Sequence, residues 1–247
     1  KCTDEYGYLE AFSRTFEPAG NDKLSENGVM ADKTMNTLLH VFEAYTEYYR
    51  VSHNEKAAAR LRFMLDIFKN NVYNEKLGRQ EVFFDQKYTP LIDLYSYGHD
   101  IETAWLLDRG LEVLGDSGYI EMFAPVTHAL AVNIYNRAFV NGSVLNEAEN
   151  GVNDTTRIWW VQAESIVGFI NEGMKIPGTD ESSKYFKAAE ALWEYIKEFI
   201  IDKREGSEWF WSVNADGEPC QKPIVEPWKC PYHNGRMCIE IVRRMKQ

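Results

Sequence analysis

The sequence predicts an all-α protein built from repeated helical hairpins, as an α-solenoid or a closed ring of hairpins. Three observations carry this. Apolar residues recur at spacings of three and four through most of the 247 residues. The helical stretches fall into pairs, each pair occupying roughly 60 residues. Marked residues recur with the pairs: His40, His99 and Trp160 fall in the first helix of successive pairs, 59 and 61 residues apart, and His233 follows 73 residues later. In a toroid the first helix of every pair lines the centre, which would bring His40, His99, Trp160, Glu164 and His233 to one axis.

The elements follow in order. Residues 1–30 are irregular, with an extended segment expected around Tyr8–Phe16. Asp32 is expected to cap a first helix, whose apolar stripe is Met35, Leu38, Leu39, Val41, Phe42, Tyr45 and Tyr49. A second helix is expected from about Asn54 to Asn71. Gln80–Gln86 reads as a short strand. Asp100 is placed as the cap of a helix running to Leu114, closed by Gly115. Pro125 is expected to open the next helix, since proline suits a first turn. Helices at about Thr155–Met174 and Glu181–Asp202 follow. Asp216-Gly217 marks a hairpin turn, and a last helix covers about His233–Met245. Three and a half pairs result, read as one domain over residues 1–247.

Composition limits the function. The formal net charge is −11, with 26% charged and 45% hydrophobic residues. An acidic surface argues against nucleic acid or anionic membrane as partner. No run approaches the length of a membrane-spanning helix. The N-terminal stretch KCTDEYGYLEAFSR has no apolar centre, so it is no signal peptide, and it lacks an initiator Met. The chain is therefore expected to begin inside something longer or after processing. Four cysteines, Cys2, Cys220, Cys230 and Cys238, are expected as reduced thiols of a cytoplasmic protein. Seven Trp, 14 Tyr and 13 Phe suit a site that stacks on sugar rings.

The chemistry concentrates in a few stretches. His99 lies between Gly98 and Asp100 at a helix start, with Glu102 three residues on. It reads as a general acid/base whose imidazole a carboxylate orients, or as a plain N-terminal histidine. His40 shares a face with Asn36 and Glu43, which is polar for a core helix. In Ile158–Glu164 (IWWVQAE), one tryptophan is expected in the core and the other free to reach a cavity, with Glu164 one turn from Trp160. In Lys222–Met237 (KPIVEPWKCPYHNGRM), Cys230 and His233 have a spacing that invites zinc. Pro231 stiffens the turn between them and no second short-spaced pair exists, so no metal is expected. Glu102 with Glu164 would be the carboxylate pair if the reaction were glycoside hydrolysis. Nucleotide, phosphate-loop and serine-hydrolase motifs are absent.

SYGHDIETAWLL, WWVQAE and KPIVEPWKCPYHNGRM, together with MNTLLHVFEAYT, resemble the N-acylglucosamine 2-epimerase superfamily, and within it the cellobiose 2-epimerase branch. The resemblance runs along essentially the whole chain. It implies an (α/α)6 barrel, here incomplete and forming its C-terminal portion. It implies epimerisation at C2 of the reducing-end glucose of β-1,4-linked disaccharides, without cofactor or metal. By motif position, His99 and His233 match the two acid/base histidines and His40 a third active-site histidine. Glu102 and Glu164 match supporting carboxylates. Asn36, Trp105, Trp160 and Trp228 match polar and stacking residues around the sugar. An aldose–ketose isomerase on the same scaffold and an inactive carbohydrate-binding fragment are the alternatives. An open barrel would expose inner apolar surface and favour self-association.

Overall fold

The computed structural model describes residues 3–20 and 28–246. Cys2 lies outside them. Seven α-helices occur among the described residues: α1 (Met35–Ser52), α2 (Glu55–Ile67), α3 (Tyr97–Leu114), α4 (Ser117–Arg137), α5 (Trp159–Lys175), α6 (Asp180–Tyr195) and α7 (Tyr232–Arg244). They are three sequential pairs and a seventh helix, as the periodicity predicts. The repeat extends to detail. Both α2 and α6 run into a five-residue π-helical turn, Phe68–Val72 and Ile196–Ile200, after which the chain turns extended. The chain divides into two compact units, Lys1–Tyr95 with Leu106–Thr127, and Ser96–Trp105 with His128–Gln247.

In the first unit, α1 buries Met35, Leu38, Leu39, Phe42 and Thr46, spacings of three and four that make one stripe. A buried Leu or Phe of this kind contributes about 1.5–3 kcal/mol by leaving water. Asp32 does not cap α1. Lys33–Thr34 forms a strand (β1) pairing with Phe83–Phe84, and Thr34 is the cap, its hydroxyl accepting from the Thr37 amide at 3.1 Å. Glu10, 24 residues upstream, fixes this corner by accepting from the Thr34 amide and the Thr37 hydroxyl, each at 2.5 Å. The second helix starts where expected, with Asn54 as the cap of α2. The expected strand at Gln80–Gln86 is split into Arg79–Gln80 and Phe83–Phe84, paired to different segments. Around Tyr8–Phe16 there are bends with isolated bridges, Thr3 to Tyr8 and Phe12 to Pro18, and no strand.

Two proline and aspartate assignments also change. The third helix begins at Tyr97, so Asp100 lies inside its first turn. Pro125 sits within α4, which starts eight residues earlier. The carbonyl that its missing N–H leaves without a helical partner belongs to Glu121, and both residues are exposed, so that carbonyl is not sealed in the core.

In the second unit, α5 is the central element. Twelve of its residues are buried, and it packs against both α6 and α7. Gly168 permits close packing: a Cβ there would lie 2.4 Å from Ile101. Thr179 caps α6 through the Ser182 amide at 3.0 Å. Arg157–Ile158 pairs antiparallel with Ser212–Val213 and sets the entry to α5. The turn at Asp216-Gly217 forms, with Gly217 at φ +83° and its amide bonded to the Asn214 carbonyl. No helix among the described residues is long and apolar enough to cross a membrane.

Candidate active site

Three helical segments of the second unit meet at a buried charge centre. Glu102 on α3 and Glu164 on α5 are both fully buried. Isolated carboxylates there would be costly, so each must be paired. The partner is Arg236 on α7, whose Nη2 donates to Glu164 Oε1 at 2.8 Å and also to Glu102 Oε1. The same Glu164 oxygen accepts from His233 Nδ1 at 2.8 Å, and Glu164 Oε2 accepts from the Trp105 indole N–H at 3.0 Å. Burial pushes the Glu164 carboxyl upward. The Arg236 guanidinium and the His233 imidazole outweigh it and hold the group below the usual glutamate value. Arg236 itself lies over the rings of Trp105 and Tyr232, at 5.0 and 4.6 Å.

This network decides the tautomer of His233. An ionised carboxylate only accepts, so Nδ1 carries a proton, and in the neutral ring Nε2 is the nitrogen with the lone pair. The second histidine is arranged differently. His99 Nδ1 is bonded to the Ser96 hydroxyl at 2.7 Å, where a carboxylate was expected. The two imidazoles share one indole: Trp160 lies 4.7 Å from the His99 ring and 5.4 Å from the His233 ring. Of the adjacent tryptophans, Trp159 is the core residue, buried against Trp211, and Trp160 stays partly exposed.

Gly98 makes room for this stack. A Cβ at that position would lie 2.4 Å from Trp160 and 2.7 Å from Val161. Gly98→Ala is expected to displace the Trp160 ring and destabilise the protein by about 1–3 kcal/mol, the usual cost of overpacking. Chemical denaturation of the variant beside the parent measures it, and an unchanged midpoint would contradict the packing argument.

Three expected site residues remain to be placed. Trp228 is 59% exposed and makes no ring contact among the described residues. Asn36 and His40 belong to the first unit. There His40 Nδ1 bonds Glu43 Oε2 at 3.0 Å, one turn along α1 from a half-buried Asn36. Arg236 and Ser96 went unassigned in the sequence. Each lies three residues from a histidine already singled out, and that spacing was the available signal. The thiols of Cys230 and Cys238 are exposed and free, and His233 faces Glu164. Glu102, Glu164 and His233 offer ligand atoms within 4.8 Å of one another, a set that could hold a metal ion. In this structure Arg236 supplies the positive charge between the carboxylates.

The chain belongs to the N-acylglucosamine 2-epimerase (GlcNAc 2-epimerase) family, whose model matches residues 12–235. It is 49% identical over 242 residues to the cellobiose 2-epimerase of Ruminococcus albus, covering 98% of this chain and 61% of the relative. Among solved structures it matches a sugar epimerase from a ruminal bacterium, with a TM-score of 0.93 at 48% identity, covering 98% of this chain and 61% of that one. It also matches cellobiose 2-epimerase from Bacillus thermoamylovorans, with a TM-score of 0.89 at 46% identity, covering 98% and 61% respectively. The fold class is therefore the (α/α)6 barrel, represented by three and a half of its helix pairs. The chain spans about 61% of the length of the curated relatives it matches.

Proposed function

We propose that the protein to which this chain contributes interconverts glucose and mannose at the reducing end of β-1,4-linked disaccharides, by moving the proton at C2. The observation that carries this reading is the pair His99 and His233 on one indole, each with its Nδ1 engaged. The similarity to cellobiose 2-epimerases supports the substrate class.

The chemistry runs as follows. The sugar ring must open, so that C1 becomes a carbonyl and acidifies the C2 proton. One imidazole takes that proton and the C–H electron pair becomes an enediolate. The other imidazole returns a proton to the opposite face, and the reverse reaction exchanges the roles. Glu164 holds the His233 ring and stabilises its protonated form electrostatically. The exposed part of Trp160 is a surface for the apolar face of a sugar. The reaction needs no redox or group-transfer partner. His40, as the stabiliser of the enediolate oxygens, and Asn36 and Trp228, as sugar contacts, enter through the family resemblance alone.

The test is incubation with cellobiose or lactose in deuterium oxide, using both the 247-residue chain and the whole encoded protein. A mannose-ended disaccharide carrying deuterium at C2 supports the reading. A ketose product would replace it with aldose–ketose isomerisation. Saturable binding without exchange by the whole protein would leave only a carbohydrate-binding role.

A further inference from the structure

The loop that delivers His233 holds a second charge cluster, built around a buried lysine. Lys229 is completely buried, at 0% exposure. Its ammonium bonds Glu208 Oε2, donates to the Ile224 carbonyl at 2.7 Å, and lies 5.3 Å from the centre of the Trp159 ring. The other oxygen of Glu208 accepts from the side-chain amide of Asn234, the residue next to His233. Glu208 is itself held, since its carbonyl accepts from the Asp202 amide at 3.1 Å beside the bridge between Ile201 and Trp209. One carboxylate thus ties the loop before α7 and the first turn of α7 to a fixed segment of the unit.

That tie matters because the residue before α7, Pro231, makes no capping side-chain bond. The side-chain bond to a first-turn amide is Asn234 Oδ1 accepting from Gly235 at 3.2 Å, made by the same Asn234 that Glu208 holds. The first five residues of α7 carry both His233 and Arg236, the two α7 groups that meet Glu164. Trp159 links the clusters, with the Lys229 ammonium over its ring and the His233 ring 6.3 Å away, edge to face. A lysine sealed from water needs its counterion, so replacing Glu208 leaves the buried ammonium without its ion-pair partner.

We propose that Glu208, acting through Lys229 and Asn234, is the positioning residue that sets the His233 imidazole against Glu164 and Trp160. Its catalytic consequence rests on the epimerase reading above, while its effect on the ring does not. Misplacement of a reacting group by about 1 Å costs on the order of 100-fold in rate.

The experiment compares Glu208→Gln and Asn234→Ala with the parent in the whole protein. The 15N-labelled His233 ring is observed by NMR, and kcat and KM are measured on cellobiose. The His233 ring resonances and their pH titration are expected to move in both variants. Where the parent turns over, kcat is expected to fall about 10- to 100-fold with KM within about twofold. Asn234→Ala keeps the Lys229–Glu208 pair, so it tests the tie even if Glu208→Gln fails to fold. A folded Asn234→Ala protein whose His233 resonances and titration match the parent would overturn the proposal. If the parent lacks activity the epimerase reading fails, and the ring resonances still decide the positioning role.

Discussion

Replacing His233 with asparagine is expected to reduce deuterium exchange at C2 by about 100- to 10,000-fold, the range a positioned general acid/base supplies. The substitution leaves a polar side chain able to donate to Glu164, so the buried carboxylate keeps a partner where His233 Nδ1 now bonds it. Stability should therefore change little, and activity should fall almost entirely through kcat. His99→Asn is expected to behave alike, because the chemistry needs one proton-transfer group on each face of C2. A difference separates the two variants: a substrate already carrying deuterium at C2 would show whether each lost group served the glucose-ended or the mannose-ended form. Exchange at the parent rate in His233→Asn would remove His233 from the reaction.

Glu164→Gln is expected to be the most damaging single substitution in the second unit. All three partners of Glu164 are donors: Arg236, His233 and the Trp105 indole. A carboxylate accepts from all of them. An amide must point its own N–H groups at one of these donors, and it cancels none of the Arg236 charge. Breaking a buried pair in this way costs about 3–5 kcal/mol. The pH dependence has a definite sign. Because the folded carboxyl lies below its ordinary value, its contribution is complete above the unfolded carboxyl range, near ~4.3. It is lost as pH falls through the folded value. The gap in denaturation midpoint between parent and Glu164→Gln should be full at neutral pH and should narrow on acidification. A gap independent of pH down to acid unfolding would contradict the charge assignment.

Much of this fold is written in local pattern. The stripe from Met35 to Phe42 and the caps Asn54 and Gly115 all depend on neighbours within one or two turns, so spacing reveals them. The recurrence of His40, His99, Trp160 and His233 on first helices is legible for the same reason. Thr34 as cap was hidden because its decisive partner, Glu10, is 24 residues away. Pro125 inside α4 was hidden because the exposure of Glu121 decides whether an orphan carbonyl is tolerated. At the site, histidines and tryptophans announce themselves by type. Arg236, Lys229 and Glu208 do not, since charged residues on a last helix or loop ordinarily face water. Only tertiary packing buries Lys229 and half-buries Arg236 and Glu208, and that packing is what gives them their roles.

The indole beside two imidazoles has an optical consequence. A protonated imidazole drains the excited state of a neighbouring indole, and Trp160 has two imidazoles within 5.4 Å of its ring. Its emission should therefore dim as the histidines take up protons, and brighten when they give them up. Phenylalanine at position 160 would remove that component from the spectrum and leave the light of the other six tryptophans. The residue suited to carry a sugar is thus also a lamp whose brightness follows the protons beside it.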